Sequence, residues 1–169
     1  MTNQAPASQS NDEDRTTSTG LARYAYEYIQ AARLVDKELG KHHIHDFVSP
    51  IPAYFLALHG IELTLKAYLR HHGFTLNELS SKKYGHNIHK CYRKAKELGL
   101  LSLFKESERD LSAIELLMSI NQNMGLRYIQ TGYKTYPSWS IIEPLAVRLH
   151  QAISPLVGYK TFDVHFGEY

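Results

Sequence analysis

A chain of 169 residues with 43% hydrophobic and 21% charged side chains has ordinary globular composition and enough apolar material for one domain with its own core, which excludes a disulfide-stapled miniprotein, a collagen-like fibre and a wholly disordered chain. Nineteen Lys and Arg against 17 Asp and Glu leave a formal charge of +2, so bulk charge gives no mandate for holding a duplex by phosphate neutralisation alone. The single cysteine, Cys91, can make neither an internal disulfide nor a cysteine-based zinc site; with no membrane-length apolar run and no signal pattern, the expected location is the cytoplasm.

Residues 1–18 hold almost no large apolar side chain, so ordering them would cost backbone entropy with nothing buried in return. They read as a disordered tail, followed by a helical bundle over 19–160 and a C-terminal tail over 161–169. From Leu21 to Leu39 the residues Leu21, Tyr24, Ala25, Tyr28, Ala32, Val35 and Leu39 recur at threes and fours, predicting a helix that Gly40 stops. His42 to Ile51 is a connection, closed by Pro50 and Pro52, and a second helix starts near Pro52 because proline suits a helix's first turn. Its stripe of Tyr54, Leu58, Ile61, Leu65, Tyr68 and Leu69, flanked by Phe55, Leu56 and Leu63, is apolar over more than one side, as a central helix requires. Gly73 ends it, and Thr75 with Glu78 has the capping-box spacing for a short helix over Leu76–Leu79.

Ile88, Cys91, Tyr92, Ala95 and Leu98 mark a third major helix ending at Gly99. Leu111, Ile114, Leu117, Ile120 and Met124 mark a fourth, with Ser107 and Asp110 placed to cap it and Gly125 at its close. Leu126 to Ser140 holds Tyr128, Tyr133, Tyr136 and Trp139 with no sustained period, which predicts an ordered aromatic loop, and so long a loop in a compact domain usually has a purpose. Ile141, Leu145, Leu149, Ile153, Leu156 and Val157 give a last helix, opened by a Ser140/Glu143 capping pair and disturbed near Pro144 and Pro155. No alternating stretch suggests a strand. The expectation is an all-α, up-and-down bundle of about five helices.

Three segments together resemble the HEPN family, small helical nucleotide-binding and ribonuclease-related domains: Ile61-Glu-Leu-Thr-Leu-Lys66-Ala-Tyr-Leu, Tyr84-Gly-His86-Asn-Ile-His-Lys, and Ile120-Asn121-Gln-Asn-Met-Gly-Leu-Arg127-Tyr128. The resemblance spans Leu21 to Gly158. It implies a bundle that commonly forms a homodimer and works with a nucleotidyltransferase, or with an antitoxin or effector in toxin and defence systems. Catalytic members are metal-independent ribonucleases whose signature is an Arg followed after four to six residues by a His. This chain departs from that pattern: after Arg127 no histidine occurs until His150, and Arg148 with His150 two residues on points two side chains to different helix faces.

Glu62 and Lys66, four apart with the acid first, form a favourable intrahelical pair. On a helix apolar on several sides they are expected to be partly buried and to recruit partners such as His86 or Asn121, and the reading is a structural network before a ligand site. His42, His43, His45 and Asp46 could offer metal ligands, but a four-residue loop cluster fixes little, and no metal or cofactor is expected. His86 and His89 read as a helix-opening cap and a surface residue, His71 and His72 as a helix's last turn, and Cys91 as a core filler. Arg127, Tyr128, Tyr133, Lys134, Tyr136 and Trp139 combine cations with flat rings, as contact with a nucleobase and phosphate requires, although packing is the commoner use of aromatics. The resulting expectation is a HEPN-like module, non-catalytic or weakly nucleotide- or RNA-binding, with Arg127, Tyr128, Lys134, Glu62, Lys66 and Asn121 as binding candidates. Two alternatives stand beside it: a metal-independent ribonuclease toxin using Arg127 with His86, and a scaffolding subunit without ligand.

Overall fold

The computed structural model describes residues 13, 15–41, 48–121, 125–128, 131–132 and 134–167. Among them run six α-helices and no strand: α1 (Ser18–Leu39), α2 (Ile51–His71), the short α3 (Leu76–Ser80), α4 (Ile88–Glu97), α5 (Glu108–Asn121) and α6 (Trp139–Ile153), with a 3-10 turn at Leu100–Ser102 that periodicity did not suggest. The architecture is the expected all-α bundle. Among the described residues no helix is long and apolar enough to cross a membrane.

Local signals set most helix ends. The Thr17 hydroxyl accepts from Gly20 N to open α1, and Pro52 sits in the first turn of α2. Both halves of the Thr75/Glu78 capping box are made. Ser107 and Asp110 exchange bonds at the start of α5, Ser107 N donating to the Asp110 carboxylate at 2.9 Å and Asp110 N to the Ser107 hydroxyl at 3.2 Å. Gly99 takes φ +93° after α4, a left-handed conformation that glycine adopts at little cost. The capping pair expected at α6 is not formed: Ser138 precedes the helix without a side-chain cap, and Glu143 instead bonds Arg33 of α1 at 2.7 Å. A cross-helix ion pair took the carboxylate that local spacing had assigned to the helix end. Met124, given to the fourth helix, lies outside the described residues.

Helix α2 is the centre, packing on α1, α4, α6 and α3. It runs antiparallel to α1, with Arg70 at Thr16 and His59 at Tyr28. Gly60 makes the crossing close: a Cβ there would stand 2.5 Å from Ile29 Cγ1. The buried face of α1 is Leu21, Ala22, Ala25, Ile29 and Ala32. Tyr24, assigned to that face, is 51% exposed, and Leu39 is exposed too; three alanines on the observed face let the helices approach, with Leu21 and Ile29 filling the space between them. Helix α6 returns along α1, with Arg33 on Glu143 and His150 on Ala22. Pro144 lies inside α6 and is tolerated there.

Both ends of the bundle reach beyond the expected boundaries. Glu13, placed in the tail by the sequence, accepts from Arg70 Nη1 at 2.7 Å and from Leu76 N at 2.8 Å, so it caps α3 across the fold. Phe162, placed in the C-terminal tail, is buried and stacks on Tyr26 at 4.2 Å between centroids, while Gln151 Nε2 donates to the carbonyls of Phe162 and Val164. Neither contact has a local sequence signal.

Candidate functional site

Phe55, His59, Glu62 and Lys66 follow one another on α2 at steps of four, three and four, which places them on one face of the helix. The central part of this strip is the Glu62 carboxylate, only 8% exposed at its side chain. Lys66 Nζ donates to it at 2.7 Å, His86 Nδ1 stands 3.4 Å away and His59 Nδ1 3.9 Å away. Burial alone would raise the Glu62 carboxyl, but the His59 imidazole, the Lys66 ammonium and the His86 ring outweigh it and hold the group below its ordinary value. Lys66 Nζ also donates to the Gly85 carbonyl, which ties the turn before α4 to the central helix and so delivers His86 to the carboxylate. The expected network therefore exists, and its outward end is His86, whose side chain is 72% exposed.

Arg127 lies at the other end of the strip. It is exposed, and its guanidinium sits over the Phe55 ring at 5.2 Å. Phe55 in turn stacks near-parallel to His59, with centroids 6.4 Å apart, and His59 meets Tyr28 edge-on at 4.4 Å. A continuous line of guanidinium, ring, imidazole and carboxylate results. Phe55 and Glu62 are separated by about 10 Å of helix rise, so Arg127 and His86 occupy two stations of the line. Sequence reasoning left Phe55 on a flanking face and passed over His59; the spacing 55, 59, 62, 66 on a predicted helix was the available signal.

The remaining candidates divide. Tyr128 is 66% exposed, free to receive a flat partner, and Lys134 is half-buried. Asn121 does not join the Glu62 network: it closes α5, and its Oδ1 is buried with no hydrogen-bond partner among the described residues. Tyr136 and Trp139 pack against Tyr54 at 5.3 and 5.8 Å, and the Tyr54 hydroxyl donates to the Pro137 carbonyl at 2.9 Å, so this half of the aromatic loop is docked on the core. Tyr133 lies outside the described residues, as does the cluster His42, His43, His45 and Asp46. Among the described residues no group of His, Cys, Asp and Glu could hold a metal ion.

Arg148 and His150 diverge as helix geometry requires. Arg148 pairs with buried Asp110 of α5, whereas His150 is enclosed on the α1 side, with Nε2 donating to the Ala22 carbonyl at 2.9 Å. Cys91 is buried, its Sγ donating to the Tyr84 carbonyl at 3.4 Å, and burial pushes the thiol up to about 12. It packs the core. Comparisons with family models, curated proteins and solved structures found no match for this chain.

Proposed function

We propose that the chain is a HEPN-like helical module that binds a nucleotide or an RNA strand along the α2 strip without cleaving it efficiently, acting as a homodimer beside a partner such as a nucleotidyltransferase or a defence effector. The observation that carries this reading is the Arg127 guanidinium seated on Phe55 in line with His59, Glu62, Lys66 and His86. A guanidinium on a ring keeps its charge and outer donors for a phosphate, while exposed Tyr128 offers a stacking surface for a base. Cleavage is disfavoured by separation, because His86 meets the strip at Glu62 and Arg127 meets it at Phe55, positions about 10 Å apart in helix rise, so that base and cation are not directed at one phosphodiester.

One observation favours the ribonuclease alternative. The Glu62 carboxylate beside His86 Nδ1 orients an exposed imidazole in the manner of a general base with its positioning carboxylate. The experiment is a titration of nucleotides and single-stranded RNA against the wild type and Arg127→Ala, with an RNA cleavage assay in chelator run in parallel. The proposal expects binding that Arg127→Ala weakens and no cleavage above background. Indistinguishable binding curves would remove Arg127 from the site. Cleavage lost in both Arg127→Ala and His86→Ala would replace the binding module with the ribonuclease, and a monomeric mass by light scattering at micromolar concentration would sink the homodimer.

A further inference from the structure

Charge in this chain is distributed unevenly. Residues 80–99 contain six of the 19 Lys and Arg and one of the 17 Asp and Glu, a local net of +5 in a chain whose total is +2. Helix α4 buries Ile88, Cys91, Tyr92 and Ala95, so the basic residues are confined to its outer side and to the turn before it. Lys82, Lys83 and Arg93 are exposed and Lys90 is half-buried. Among the described residues none of these four has a carboxylate ion pair; Lys94 and Lys96 do, with Glu97 at 2.9 Å and Glu106 at 3.2 Å. Lys83 and Lys94 line one groove of about 490 Å³ with Phe74, Glu78 and Tyr84. The acids nearby are already engaged, Glu78 in the α3 capping box and Glu97 with Lys94.

We infer that the outer face of α4 and its preceding turn is a track for the phosphate backbone of a single-stranded nucleic acid, leading to the α2 strip at His86. The inference deepens the binding function proposed above and rests on it: the ligand at the strip becomes part of a strand and not a free nucleotide. Three features support this choice. His86, at the outward end of the Glu62 network, lies within one turn's length of chain from Lys90, and Lys66 bolts that turn to α2 through the Gly85 carbonyl, so track and strip are one rigid unit. None of the exposed large apolar side chains falls within 80–99, and a protein partner would need an aromatic or aliphatic centre that this face lacks. Lys83 Nζ rests over the Tyr84 ring at 4.9 Å, a contact that leaves its charge in place; cations without carboxylate partners on one face neutralise phosphates without reading sequence, and their contribution declines with salt in proportion to the number of phosphates held.

The test measures the salt dependence of binding of a fluorescent ten-residue oligouridylate to the full chain. Four phosphates on Lys82, Lys83, Lys90 and Arg93 predict a log–log slope of about −3 for the wild type, and Lys83→Glu/Arg93→Glu should lose at least two contacts, bringing the slope to about −1.4 or shallower with affinity down roughly tenfold or more. Lys37→Glu/Lys160→Glu, an equal charge change on the α1 and C-terminal side, should retain the wild-type slope; thermal melts confirm that both variants fold. Equal losses in the two double variants would reduce the effect to net charge and overturn the track. So would uridine monophosphate binding as tightly as the oligomer, or a polyglutamate peptide of the same charge competing as well as RNA. If Arg127→Ala loses binding and the α4 variant does not, the strip stands and the track falls. The reverse pattern keeps a nucleic-acid track and removes the strip.

Discussion

Glu62 and His150 are both titratable groups sunk into the bundle, and the fold houses them in opposite ways. Around Glu62 stand an ammonium and two imidazoles, one of them largely in solvent. Around His150 stand the rings of Tyr26 at 5.7 Å, Phe162 at 5.2 Å and Tyr159 at 6.4 Å. The charged groups over these rings, Arg33 on Phe162 and Lys160 on Tyr26, are themselves cations and would repel an imidazolium. Because Nε2 donates to Ala22, Nδ1 is a bare lone pair, and among the described residues it is buried without a partner, as is the Ser154 hydroxyl one turn on. Burial accordingly pushes the His150 imidazole below its usual range despite the Ala22 carbonyl bond. Counter-charge lets the Glu62 region keep a buried ion next to an imidazole that stands in solvent; the rings make the His150 region a neutral piece of core.

Four measurements would break or sharpen this contrast. The largest effect is expected from Lys66→Ala, which leaves the buried Glu62 charge without its main partner and should cost about 3–5 kcal/mol in urea unfolding. The double variant Glu62→Leu/Lys66→Met removes both charges and should recover most of that loss. If it regains stability but not RNA binding, the pair serves the ligand as well as the fold; if Lys66→Ala leaves stability unchanged, the network is not structural. On the other side Phe162→Ala should cost about 3 kcal/mol, the lower part of the range for a deleted core ring. A loss under 1 kcal/mol would show that the C-terminal segment only rests on the bundle.

Next in size is the pH dependence, which separates the two regions by window. His150 has a depressed folded-state pKa, so between that value and the ordinary 6.5 the unfolded chain binds more protons; its contribution is fully present above about pH 6.5 and is lost as pH falls through the folded value. Glu62 is depressed from 4.5, so its contribution persists above about pH 4.5 and disappears below it. Urea midpoints against pH should therefore decline in two stages, and His150→Gln should flatten the upper one. An unchanged upper stage would move its cause elsewhere. Smallest for stability is Arg127→Ala, an exposed residue whose removal should change unfolding free energy by no more than about 0.5 kcal/mol, while weakening ligand binding. A larger loss would make Arg127 part of the packing.

Elements governed by neighbours in the chain were legible. Thr75 with Glu78, Ser107 with Asp110, the glycine after α4 and the apolar breadth of α2 all did what their spacing predicted, and the divergence of Arg148 from His150 followed from helical geometry. Glu62 with Lys66 was legible as a pair and His86 as its partner, whereas Asn121 was wrongly offered the same role. Glu143 was misread because the cap it could have made competed with Arg33, a residue 110 positions away. Phe55 and His59 joined the candidate site only once the aromatic loop had placed Arg127 on Phe55.

What the sequence by itself determined was the set of helices and the charge carried on their faces, because helix formation, capping and amphipathic spacing depend on residues within a few positions of one another. Tertiary structure alone decided that Glu13 caps α3, that Phe162 and His150 share one apolar box, and that a strip on α2 is joined to the basic face of α4 through Lys66 and the Gly85 carbonyl. Each of those contacts brings together groups far apart in the chain, and their partners are selected by the burial and packing of whole helices, which local spacing does not encode.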